Sequence, residues 1–277
     1  MNRKDIFSIL AEKFNADEEI YKIKRLFFWE FFLYTNAYGI QTKMTIENVV
    51  DTFLFSQWKQ RCFCINCEEM RLKLGIGSTL KDCEEKIILL EYIFNLIYLI
   101  HTHLKVGKYE PISVKDDYTI FMSNVEHILE KMHYEKHFFK DEEKVILVPK
   151  NPAATAVAEI SSDDTAMAIL MYHHASLKGN LTRKKELLRQ IAQEYEPLLK
   201  KGIDGFSDYF SKARDFLNNL DIRHNNGDSS IVKNLSPEEL ENWYDELYQL
   251  LLFCVLIRDN KDRKDKMAEF LKTSRQG

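Results

Sequence analysis

The sequence predicts a mostly α fold: a multi-helix protein with a C-terminal helical bundle and a short β-hairpin near the middle. Three observations predict it. Only 9 glycines and 5 prolines interrupt 277 residues, while Leu, Lys, Glu and Ile abound, a composition that favours long helices over a sandwich or barrel. Through most of the chain apolar residues recur at three and four positions, the spacing that gathers them on one helix face. Hydrophobic residues make up 45% of the chain, enough for a large core, and at roughly 150 residues per domain the length allows one large domain or two small ones. The expected organisation is a helical lobe over 1–135, a hairpin and linker over 136–160, and a bundle over 161–277.

In the first lobe helical spacing covers 3–14, 18–36, 45–60, 83–104 and 117–133. Thr45 can cap the third of these, because its hydroxyl can accept from the free amides of the first turn. Ile87 to Ile100 is the most apolar stretch, but Glu91 and Asn95 interrupt it and His101 and His103 close it. It falls short of the ~20 apolar residues of a membrane span and is expected as a buried core helix. Leu74-Gly75-Ile76-Gly77-Ser78 and Val106-Gly107-Lys108 are loops. From His137 the period shortens, and Val145-Ile146-Leu147-Val148 with the preceding Phe138-Phe139 predicts two short strands around a charged turn. Pro149 and Pro152 end regular structure there, leaving Asn151 to Ala156 as a small-residue linker.

The second half begins at Ser161-Ser162-Asp163-Asp164, which has capping chemistry, with a helix through about Leu177. Further helices are expected at 182–200, 205–223 and 236–258. Ser236-Pro237-Glu238-Glu239 joins an N-cap serine, a proline at the first helical position and a glutamate three residues after the cap. Behind it Leu240, Trp243, Tyr244, Leu247, Leu250, Leu251 and Cys254 form a wide apolar face. Lys261 to Lys272 is a charged tail, expected as a solvated face.

Net charge is -4, from 39 basic and 43 acidic residues, so no overall positive field draws the chain to nucleic acid or anionic lipid. Any nucleic-acid site must be local. Met1-Asn2-Arg3-Lys4-Asp5 runs into amphipathic sequence without a signal peptide, and five unevenly spaced cysteines suit reduced thiols, so a cytoplasmic location without a membrane is expected. No Gly-Lys-Ser/Thr ending follows Gly75 and Gly77, and no nucleophile elbow, zinc-protease helix, kinase set or EF-hand loop appears. No cofactor is expected.

Three groups of residues can carry chemistry. Cys62, Cys64, Cys67 and Cys83 have the number, and the first three the proximity, for a tetrahedral zinc site, although buried cysteine also packs as a small hydrophobe. His173 and His174 diverge by about 100° on a helix, so at most one can face a site shared with His224. His174 enters as a substrate-binding candidate. The densest group is Arg223-His224-Asn225-Asn226, at the end of a helix whose apolar stripe runs through Phe206, Tyr209, Phe210, Ala213, Phe216, Leu217 and Leu220. Such a cluster can cap the helix, with Arg223 and His224 near its negative end and an Asn or Gly227 in the left-handed turn. A guanidinium, an imidazole and two carboxamides can equally hold a phosphodiester, with the imidazole available for proton transfer.

An Arg followed by a polar residue at the end of a bundle helix resembles the HEPN superfamily, small all-α domains frequent in prokaryotic defence and toxin–antitoxin systems. The resemblance covers about residues 162–272. The family motif is Arg, then Asn, Asp or His, then a His after four to six residues. Arg223-His224 matches its first two positions, while Asp228, Ser229 and Ser230 stand where the second His would fall. The resemblance implies a metal-independent endoribonuclease acting at a homodimer interface. Carried over, Arg223 takes the phosphate role and His224 the flanking polar position, and no residue inherits the catalytic His; in an active protein His224 would serve as an improvised acid/base, and Asn225 and Asn226 would orient the RNA. With the second His absent, the alternative is a non-catalytic helical interaction or dimerisation module.

Overall fold

Asn15 opens the first helix described, its side chain accepting from the amides of Asp17 and Glu18 in α1 (Ala16–Phe27), where Ile20, Ile23 and Phe27 turn inward. The structure, a computed structural model, describes residues 14–77, 79–104, 106, 111–223 and 230–274. The expected helix at 3–14 lies, but for its last residue, outside them. The chain divides into two units, 1–150 and 151–277. Eleven α-helices and two small antiparallel sheets are described.

The helix expected over 18–36 ends at Phe27, and β1 (Phe32–Thr35) follows. It pairs with β2 (Gln41–Met44), Phe32 opposite Met44, and on its other side with β3 (Ile112–Val114). Turn chemistry overrides the helical spacing. Asn36 Oδ1 accepts from the amides of Tyr38 and Ile40, and Gly39 takes φ +76°, closing a hairpin loop. Thr45 caps α2 (Ile46–Phe53) as expected, and Asn48 returns the bond to the Thr45 amide. This helix stops short of residue 60 in two 3-10 turns, Phe55–Gln57 and Lys59–Arg61, which bury Phe55 and Trp58. α3 (Cys67–Lys73) starts at Asn66, whose side chain accepts from Glu69.

The long α4 (Cys83–His103) is the centre of the first unit, burying Ile87, Leu90, Ile93, Leu96, Ile97 and Ile100. After α5 (Asp116–Lys131), His133 at φ +59° reverses the chain into β4 (Tyr134–Phe139) and β5 (Lys144–Pro149), paired from Tyr134–Pro149 to Phe139–Lys144. The two residues that interrupt the apolar run of α4 are explained by β5. Asn95 Nδ2 donates to the Val145 carbonyl at 2.7 Å, its Oδ1 accepts from the Val145 amide at 2.9 Å, and Glu91 Oε2 accepts from the Leu147 amide at 2.7 Å. One helix face thereby occupies the strand edge that β4 leaves unpaired.

In the second unit the expected linker is a helix, α6 (Pro152–Ala158). Asn151 caps it by accepting from Ala154, and Pro152 holds the first helical position, where the missing amide costs nothing. The stretch 136–160 is therefore not one segment: β4 and β5 belong to the first unit and α6 to the second. α7 (Asp163–Met171) ends before the expected Leu177, which falls in a 3-10 turn (Ala175–Leu177). α8 (Leu181–Lys201), α9 (Ser207–Asn219), α10 (Ser230–Asn234) and α11 (Pro237–Ser274) complete the bundle. α11 packs on α8, α9 and α6 through Tyr244, Leu247, Tyr248, Leu251 and Leu252, against Leu188 and Ile191 of α8 and Phe210, Ala213 and Leu217 of α9. Ser236 and Glu239 exchange capping bonds at its start. The tail at Lys261 to Lys272 continues this helix.

Asn95→Leu keeps the size of the side chain but strands the amide and carbonyl of Val145. The expected loss is about 3 kcal/mol, read as a lower urea midpoint with an unchanged slope, whereas Asn95→Asp keeps an acceptor for the amide and loses less.

Candidate anion-binding site

The site is built on the end of α9. Its last carbonyls are closed by the amides of Ile222 onto Leu217 O (3.0 Å) and Asp221 onto Asn218 O (3.1 Å), with Asp221 in the left-handed conformation at φ +58°. The left-handed residue that closes α9 is Asp221, and the helix expected to reach 223 ends at Asn219, while Asn225, Asn226 and Gly227 lie outside the described residues. A non-glycine residue in that conformation is held by what surrounds it. Asp221 is buried, and its Oδ2 stands 3.0 Å from Lys185 Nζ on α8. Ile222 is wholly buried beside it.

This turn sets Arg223 against α8. Its Nη1 donates to Asn218 Oδ1 at 3.4 Å, and its Nη2 lies 3.8 Å from Glu196 Oε1, an ion pair too long for a hydrogen bond. Nη2 is buried without a hydrogen-bond acceptor among the described residues. A pocket of about 240 Å³ opens here, lined by Arg189, Ala192, Gln193, Glu196, Ile222 and Arg223. Arg189, Gln193 and Glu196 follow one another at four and three residues, so a single face of α8 supplies them. Lys200, and after it Arg223, holds the Glu196 carboxyl below its ordinary range. Two guanidinium groups and a carboxamide around one cavity can receive an oxyanion, which accepts from planar N–H forks.

Of the residues expected at the site, Arg223 lines this pocket, while His224, Asn225 and Asn226 lie outside the described residues. His174 is not among the lining residues. It is buried and caps the 3-10 turn at Ala175–Leu177, its Nδ1 accepting from the Ser176 amide at 3.3 Å and lying 2.8 Å from Ser176 Oγ. The thiols do not form one set: Cys64 and Cys67 are buried, Cys62 and Cys83 exposed, and no three His, Cys, Asp or Glu residues are grouped for a metal among the described residues. Cys67 instead donates its amide to Asp51 Oδ1, and burial pushes its thiol far up.

A second polar group was not expected from sequence. Lys184, only 4% exposed, places Nζ 2.9 Å from Glu241, 2.8 Å from Asp245 and 5.2 Å from the Tyr172 ring centroid. Tyr172 stacks on Tyr248 at 4.2 Å, and His173 meets both rings edge-on. The signal that could have found it is the spacing of α8, which puts Lys184 on the apolar face with Leu187, Leu188 and Ile191.

Comparison with protein-family models, with curated proteins and with solved structures found no match. No described helix is long and apolar enough to cross a membrane.

Desolvation first, and then Lys184, hold His173 below the ordinary 6.5, against the raising effect of Asp245 and Glu241. As the pH falls the unfolded chain therefore takes up this proton first. Stability from the neutral ring is complete above 6.5 and is lost as the pH drops through the lower folded value. The expected outcome is a melting temperature that falls from pH 7 to pH 5, and falls less steeply in His173→Gln, measured by circular dichroism in matched ionic strength.

Proposed function

We propose that the second unit is an HEPN-like RNA-binding bundle that cleaves RNA without metal, belonging to a cytoplasmic defence or toxin system. The observation that carries this is the pocket joining Arg223 to Arg189 and Gln193, with a buried guanidinium Nη2 that has no hydrogen-bond acceptor among the described residues. A phosphodiester oxygen supplies the missing acceptor and a negative charge between two arginines. In the proposed reaction the 2′-oxygen attacks the adjacent phosphorus and the 5′-oxygen leaves. The products are a 2′,3′-cyclic phosphate and a 5′-hydroxyl end. His224 takes the proton of the 2′-hydroxyl and returns one to the leaving oxygen. Arg223 stabilises the charge gathering on the phosphate, Arg189 binds the neighbouring phosphate, and Asn225 and Asn226 orient the strand. A second copy of the chain would complete the site, as the resemblance implies.

A second reading, a non-catalytic interaction module, is favoured by one observation. Glu196 stands in the pocket, and its carboxylate both occupies Arg223 and repels an incoming phosphate.

Single-stranded RNA incubated with the protein in chelator separates the two. Arg223→Ala and His224→Ala are expected to slow cleavage about 100- to 1000-fold, with melting temperatures near wild type and Glu196→Gln binding RNA more tightly than wild type. Equal cleavage by wild type and both alanine variants refutes the assignment. Neither cleavage nor binding, together with self-association lost on Arg223→Ala in sedimentation, establishes the interaction module instead.

A further inference from the structure

The first unit carries a separate cavity of about 360 Å³ between α4, α5 and β4, a size within the range of small-ligand sites. Its walls are aromatic. Phe94 and Tyr98 come from successive turns of α4 and Phe138 from β4, with Tyr98 and Phe138 tilted at 45° and 5.9 Å apart. Phe138 is 52% exposed, an unusual position for a phenylalanine on a strand otherwise half-buried. Two residues before it, and so on the same face of the strand, Lys136 brings Nζ 4.7 Å from the Phe94 centroid and 5.9 Å from that of Phe138. Tyr118 is buried at another wall, its hydroxyl 2.9 Å from His101 Nε2, and burial pushes its ionisation far up, so it stays a protonated donor.

We infer that this cavity is a binding site for a small aromatic monoanion, an aryl carboxylate or its like, whose ring packs against the wall formed by Phe94, Tyr98 and Phe138 and whose acid group pairs with Lys136. Lys136 is held over two ring faces, where the ammonium is favourable and its stem is packed. Its counter-ion is the carboxylate of Glu126 on α5, which also lines the cavity and is 47% exposed. An ion pair with one partner half-exposed holds that partner only weakly. Glu126 can therefore return to solvent at small cost and leave the ammonium to a ligand carboxylate, while the ligand ring buries apolar surface that Phe138 now exposes. A cationic ligand finds the rings already occupied by Lys136, and a neutral one leaves the ion pair unused. This site is independent of the Arg223 pocket and of the reading placed on it.

The test uses the full chain with 2-naphthoate and its neutral counterpart 2-naphthamide, titrated by ligand-observed NMR and calorimetry. Naphthoate is expected to bind saturably and about tenfold more tightly than the amide. Lys136→Met, which keeps the packed stem, removes that preference while leaving the amide's affinity in place. Phe138→Ala, at a half-exposed position that the fold tolerates, weakens both probes, and Glu126→Gln strengthens naphthoate alone. Circular dichroism melts show that each variant is folded. Absence of saturable binding by either probe, equal binding of acid and amide, or naphthoate binding that survives both Lys136→Met and Phe138→Ala overturns the inference.

Discussion

A strand edge placed against a helix must find partners for its amides and carbonyls, since each one buried and left unpaired costs about 1–3 kcal/mol. The first unit is organised by that requirement. β5 is bonded to β4 on one side, and on the other the side chains of Asn95 and Glu91 stand where a third strand would lie. Asn95 meets the donor and acceptor of one residue at once, which a carboxamide can do and an aliphatic side chain cannot. The same contact fixes how far along α4 the hairpin sits, because bonds to Val145 and Leu147 admit one register. It thereby positions Lys136 and Phe138, which follow from β4 by pairing with Leu147 and Val145.

The second unit meets the same requirement with ions. Lys184 is buried beneath two carboxylates of α11, and one residue on, Lys185 reaches Asp221. Removing one partner of a buried pair leaves an uncompensated charge, so these contacts specify the rotation of α8 more strictly than its aliphatic face could. That rotation decides what lies beside Arg223. With Lys185 drawn to Asp221, the residues on the following turns of the same stripe, Arg189, Gln193 and Glu196, face the turn that carries Arg223.

What could be read from the sequence was what is decided locally. Thr45 and Ser236 announced their helices because a cap is a matter of three or four neighbouring residues. The aromatic run from Phe27 to Tyr34 does not announce β1, because its spacing suits a helix as well as a strand, and the strand exists by pairing across the Asn36 turn with Gln41 to Met44 and, far along the chain, with Ile112 to Val114. Asn151-Pro152 has the same cap-then-proline order as Ser236-Pro237, but the small residues after it give too weak a stripe to show a helix. Arg223 stood out as part of a polar cluster. Its companions on α8 share a face by their spacing, but which of the faces of α8 meets the end of α9 depends on Lys184 and Lys185, whose partners lie 36 to 61 residues away.

α11 is 38 residues long, about 57 Å, yet its last buried residue is Val255. Beyond it Arg258–Asp262 and Asp259–Arg263 pair along the helix, and from Lys264 to Lys272 every residue is exposed. Such a segment standing alone would meet the entropic barrier of starting a helix, which leaves short peptides marginal in water. Here the packed half has already formed the nucleus, and each further residue adds one bond for one pair of dihedrals. Its order therefore has no single melting point of its own: helicity should decay residue by residue toward the C-terminus, as a zipper opens from its free end, while the packed half remains closed.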